Sequence, residues 1–153
     1  MSYCTKAQVK AMFRNLENST DPAVTDASLD EFIAEADSSI NARLKGVYVL
    51  PITEGTNPES FVILRKICRL LVACVVDNIL NTYAEADKKP DYCKQAHNLL
   101  DEIAPKVDPK TGKRPMPASI LPDATFIGMN TLKDTVAVQA VDGRIFQKGV
   151  DSW

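Results

Sequence analysis

The sequence predicts a mainly α protein: a four-helix bundle body with a long central apolar helix, followed by a proline-rich C-terminal arm and a β-hairpin. Three observations carry this. Apolar residues recur at helical spacing in four stretches before residue 104. Five of the nine prolines fall between Pro105 and Pro122, a density no continuous helix tolerates. Asp142-Gly143 then separates two alternating runs, and Asp-Gly suits the positive backbone angles of a two-residue hairpin. Residues 1–104 are therefore read as a helical body and 105–153 as an extended arm with a hairpin at about 135–148.

Thr5 with Gln8 forms a capping box that opens the first helix, and Val9, Met12, Phe13 and Leu16 give it one apolar face up to about Glu17. The following NSTDPAVTD has loop composition. Ser28 with Glu31 repeats the capping signal, opening a second helix with Leu29, Phe32, Ile33, Ala36, Ile40 and Leu44 on one stripe. Gly46 is placed to end it. Pro51 biases Leu50 away from helical angles, so residues 47–51 read as a short extended link.

Asn57-Pro58 signals a third helix start, a capping side chain followed by proline at the first helical position. This helix should run to about Tyr83. Phe61, Leu64, Ile67, Cys68, Leu71, Val72, Val75, Val76, Ile79 and Leu80 cover more than one stripe, which predicts a helix surrounded by others. Arg65, Lys66, Arg69 and Asp77 interrupt it too often for a bilayer span. Pro90 opens a fourth helix that buries Tyr92, Ala96, Leu99, Leu100 and Ile103.

Charge and chemistry narrow the function. The chain holds 18 basic and 20 acidic side chains, net -2, which argues against a general nucleic-acid coat. Residues 1–104 carry 11 basic against 15 acidic groups and residues 105–153 carry 7 against 5, so body and arm have opposite signs. Cys4, Cys68, Cys74 and Cys93 lack metal-site spacing and predict reduced thiols. Cys68 and Cys74 lie about 9 Å apart along one helix, too far to bridge each other, and read as core packing.

His97, the lone histidine, has no nucleophile near it in sequence, and no glycine-rich phosphate loop, zinc, calcium or hydrolase motif is present. No catalytic, cofactor or metal residue is assigned. Asp26, Asp30, Glu31, Glu35 and Asp37 read as a solvated face with favourable charge near a helix start.

Lys106, Lys110, Lys113 and Arg114 form a loose basic cluster without interleaved aromatics, better suited to an acidic protein neighbour than to nucleic acid. A lone two-stranded ribbon is at best marginally stable, so the hairpin either packs on its own helices or is completed by another chain, the second being the expectation given the proline arm that would carry it away from the body. The partner-contacting residues expected are Lys110, Lys113, Arg114, Phe126, Val136, Val138, Ile145, Phe146 and Trp153. Tyr48 is read equally well as core.

The residues of the body resemble the head–tail connector, or adaptor, family of tailed bacteriophages. Tyr3-x-Thr5 with Val9 and Phe13, then Ala36, Ile40 and Leu44 running into Tyr48-x-x-Pro51, are similar to that family's N-terminal pattern. The likeness continues through the long apolar helix to Tyr92, Ala96, Leu99, Leu100 and Ile103, covering roughly residues 3–104. The ITEGTNPES loop is longer than the family pattern, and Pro105 stands where a closing glycine is expected.

The resemblance implies a structural virion protein without catalysis. It would form a homo-oligomeric, dodecameric ring beneath the portal protein, at the neck of the virion, and join the capsid to a downstream neck or tail-completion protein. Genome DNA would pass through without sequence-specific binding. An acidic body agrees with a channel wall along which DNA slides. Synthesis is expected in the host cytoplasm, with no membrane partner and no cofactor. The alternative is a small helical DNA-binding regulator, which requires an accessible basic helix; the best candidate run, Leu64 to Leu70, is embedded in apolar sequence.

Overall fold

A computed structural model describes residues 2–13, 24–80 and 91–127. The fold is mainly α, built from α1 (Lys6–Lys10), α2 (Asp26–Leu44), α3 (Pro58–Leu80) and α4 (Tyr92–Ile103). No strand occurs among the described residues, only isolated bridges. Helix α3 packs against both α2 and α4, and α1 lies against α2 and α3.

The first capping box forms as the sequence predicts: Thr5 accepts from the Gln8 amide and the Gln8 side chain accepts from the Thr5 amide. The helix it opens is shorter than its apolar pattern suggests. α1 ends at Lys10, and Met12 and Phe13 continue as a turn that still brings Phe13 into the core. Leu16 and Glu17 lie outside the described residues.

The N-cap of α2 lies three residues before the predicted one. Thr25 is the N-cap, and Ser28 serves as its N3 partner rather than as a cap. Serine hydroxyls donate and accept locally, so Ser28 completes a box in either role, and Val24, buried just before the cap, selects the earlier start. The predicted stripe holds. Leu29, Ile33, Ala36, Ile40 and Leu44 are buried and Phe32 partly so. Lys45 closes the helix and Gly46 takes the positive φ of 84° that suits glycine.

Helix α3 supplies more of the core than any other helix, through Phe61, Leu64, Ile67, Cys68, Val72, Ala73 and Val76. It is not enclosed all round. Val62 (58% exposed) and Ile79 (40% exposed) face outward, so the wide apolar surface read from the sequence is only partly covered within the described chain. Tyr83 and Pro90 lie outside the described residues. α4 begins at Tyr92 with Asp91 as its cap, accepting from the Lys94 amide, and buries Ala96, Leu100 and Ile103.

One expectation about cysteine is overturned. Cys74 and Cys93 form a disulfide, with Cα atoms 4.9 Å apart, joining α3 to α4. The two sit on different helices, a relation that spacing within one helix does not reveal. Cys4 and Cys68 are buried free thiols.

Residues 105–127 lack regular structure, as their prolines dictate, yet they do not lead away from the helices. They run back across them, with Pro105, Pro117 and Leu121 buried. The predicted hairpin at about 135–148 lies outside the described residues.

Candidate functional site

The geometry of the arm is set by helix ends. Every helix leaves its first amides and last carbonyls without intrahelical partners, and those groups must bond to something. Among the described residues, three such ends meet the arm.

At the N-terminus of α3, the Asp123 carboxylate accepts from the backbone amides of Glu59 and Ser60, each at 2.9 Å, and from the Ser60 hydroxyl. Asn57, predicted as the cap, serves otherwise. Its amide nitrogen donates to the Asp123 carbonyl and its side-chain oxygen accepts from Thr56. A carboxylate at this position also meets the positive end of the helix dipole, which favours it over a neutral amide. Desolvation works to raise the Asp123 pKa, but the bonds from Ser60 and Glu59 outweigh it and hold the carboxyl below the usual carboxylate range.

At the C-terminus of α2, the Arg114 guanidinium donates to the Arg43 carbonyl at 2.9 Å. Arg43 in turn donates from Nε and Nη2 to the Ala104 carbonyl just past α4, at 3.1 and 2.8 Å, and pairs with Asp101. Both arginines thus bring positive charge to the negative ends of helices. Burial, and then repulsion from Arg43, lower the Arg114 pKa. At the end of α4, the Ser119 amide donates to the Glu102 carbonyl at 3.0 Å.

Tyr48 ties these ends together. It is 1% exposed, donates its hydroxyl to the Ile103 carbonyl at 3.1 Å and accepts from the Leu121 amide at 3.3 Å. Burial raises its pKa, opposed in part by the Leu121 bond. Tyr48 and Phe126 form an antiparallel bridge flanked by bonds from Val49 N to Thr125 O and from Ile127 N to Val47 O. The pair is thus the non-hydrogen-bonded type, in which side chains come closest. Their rings meet edge to face at 5.6 Å.

The structure distributes the predicted partner residues unevenly. Phe126 is half-buried against Tyr48 of its own chain, so plain packing accounts for much of its surface. Arg114 is engaged with α2. Lys110 and Lys113 are exposed on a turn closed by Asp108, whose carboxylate accepts from the Lys110 amide and the Thr111 hydroxyl. Those bonds hold the Asp108 carboxyl below its ordinary pKa. Val136, Val138, Ile145, Phe146 and Trp153 lie outside the described residues.

The basic run on α3 does not present a free row of cations. Arg65 pairs with Glu54 at 2.6 Å and lies over the Phe61 ring, while Arg69 is half-buried. The acidic face of α2 binds α1: Lys6 pairs with Asp30 at 2.8 Å and Lys10 with Asp26 at 2.5 Å. His97 is exposed on α4. Among the described residues no group of three or more His, Cys, Asp or Glu is placed to hold a metal ion. No helix among them is long and apolar enough to cross a membrane.

Sequence reasoning missed Asp123, Leu121 and Arg43 as joints. Asp123 follows Pro122 in a stretch read as linker, and only a search for capping residues far from the helix they cap points to it. No family model, no curated protein and no solved structure matches the chain.

Proposed function

We propose that this protein is a structural head–tail connector of a tailed bacteriophage, acting without catalysis. On this reading a four-helix bundle body repeats around a ring beneath the portal protein. The C-terminal hairpin, about 135–148, contacts a neighbouring copy, the portal or the next neck component. A ring needs one face of each copy to meet a different face of the next, and a body with a separate terminal element offers two such faces.

The observation that supports this best is the position of Tyr48-x-x-Pro51, the most recognisable part of the resemblance. Tyr48 of that pattern lies where the end of α2, the end of α4 and the arm are tied together, a position from which a packing pattern can fix how the body and arm are arranged. The exposed apolar side chains Val49 and Ile127, on the two segments that pair there, agree with a contact surface at the place where the described arm ends.

The test is electron microscopy of the protein mixed with the portal of its phage. Rings seated on the portal are expected, and removal of residues 132–153 should abolish them while leaving the helical circular-dichroism signal nearly intact. A salt-sensitive shift of duplex DNA without ring formation would favour a DNA-binding regulator instead.

A further inference from the structure

Cys4 and Cys68 are 64 positions apart in sequence, yet their sulfurs stand 2.8 Å from one another. A disulfide bond is about 2.05 Å long, so little more than a side-chain adjustment separates the two thiols from a covalent link. Both residues are buried and free. Cys68 projects from α3 beside Asp37 of α2, whose Oδ1 is 3.4 Å from the Cys68 sulfur. Cys4 belongs to the segment before α1, held by the Tyr3 amide on Asp37 at 3.1 Å, the Tyr3 hydroxyl on Asn41 at 2.6 Å and the Tyr3 ring against Phe61.

Access is one-sided. An open surface hollow of about 460 Å³ is lined by Ser2, Cys4, Thr5, Lys6, Asp30, Ile33, Ala34 and Asp37. Cys4 borders it and Cys68 does not. Cys4 is only 3% exposed, but it is the cysteine on the side from which a small molecule would approach.

We propose that Cys4 and Cys68 are a redox-active dithiol that closes to a second disulfide on reaction with a low-molecular-weight disulfide, latching the N-terminal segment covalently to α3. The Cys4 sulfur, its proton lost to solvent, attacks one sulfur of the small disulfide. The S–S bond of that molecule breaks, and one thiolate leaves and takes up a proton. The Cys68 sulfur then attacks the Cys4 sulfur of the mixed disulfide, forming the Cys4–Cys68 bond and expelling the second small thiolate, which takes the proton Cys68 gives up. Two protein thiols are oxidised by two electrons, and the small disulfide is reduced to two thiols.

The order of attack fits the electrostatics. The Cys68 thiol is held protonated first by its contact with the Cys4 sulfur, then by burial and by the Cys4 and Asp37 charges. Capping Cys4 as a mixed disulfide replaces the thiol contact that Cys68 now makes and leaves the Cys68 sulfur beside the sulfur it would attack. This proposal is independent of the connector reading.

The experiment equilibrates the full chain, Cys74–Cys93 bond intact, in mixtures of reduced and oxidised glutathione. The samples are acid-quenched, denatured and labelled with N-ethylmaleimide for intact mass and non-reducing peptide mapping. Labelling should fall together from both free thiols to neither as the mixture becomes more oxidising, with a peptide joining Cys4 to Cys68. Cys68→Ser should retain one glutathione on Cys4, and Cys4→Ser should leave Cys68 unmodified. Two labels persisting in the most oxidising mixture, or cross-links only between chains, would overturn the proposal. The unmodified protein alone decides this, so a variant that fails to fold does not blunt the test.

Discussion

The Asp123 carboxylate caps the N-terminus of α3 across more than sixty residues of sequence, accepting the Ser60 amide at 2.9 Å beside its bond from the Ser60 hydroxyl. With Arg114 on the end of α2 and Ser119 on the end of α4, it makes the first half of the arm a strap over three helix termini.

The Asp123 cap sets a pH dependence. Its carboxyl is depressed in the fold, so the stability it contributes is complete above the ordinary carboxylate pKa of 3.8 and is lost as pH falls through the lower folded value. Asp123→Asn should lower the urea midpoint at neutral pH. The gap between variant and parent should narrow as the titration descends below pH 3.8, as followed by circular dichroism.

Leu121 is 1% exposed and belongs to the main core cluster. Leu121→Ala should destabilise the protein by about 2–5 kcal/mol, the range for a large-to-small change in a packed core. Equilibrium urea unfolding measures this directly, and a change near zero would mean that the arm packs loosely.

Tyr3 predicts an alkaline limb. Burial, then the Asp37 and Cys68 charges, push its phenol from 10.0 up to about 12. A raised folded pKa favours the fold while the group is neutral, so this contribution is complete below pH 10 and disappears as pH rises through about 12. Tyr3→Phe should show a flatter loss of stability across that window, read by thermal melts at successive pH values.

The Cys74–Cys93 bond closes a loop with a sequence separation of 19. Constraining the unfolded chain over such a loop is worth about 3 kcal/mol in the chain-entropy treatment. The double replacement Cys74→Ser with Cys93→Ser should lower unfolding free energy by about that amount, with α-helical content retained in the native baseline.

Features governed by neighbours in sequence were legible. The Thr5–Gln8 box, the α2 stripe from Leu29 to Leu44, the positive φ at Gly46 and the buried face of α4 all follow from local spacing. Features that join distant segments were not. Ser28 fits two capping roles, and the choice fell to burial of Val24. Nothing near Asn57 reveals that a carboxylate from the arm takes over its cap, and a proline-rich stretch looks the same whether it leaves a body or lies across it. The candidate site shows the same division. Arg114 was singled out as a partner contact for its place in a basic cluster and Phe126 for its aromatic side chain; each also makes a contact on its own chain that no local spacing reveals.

The strap itself is open to native-state hydrogen exchange. The amides of Ser119, Leu121 and Ile127, bonded to the Glu102 carbonyl, the Tyr48 hydroxyl and the Val47 carbonyl, should exchange with protection approaching that of the α3 core. Exchange of all three at the rate of an unstructured peptide, with α3 still protected, would contradict the account.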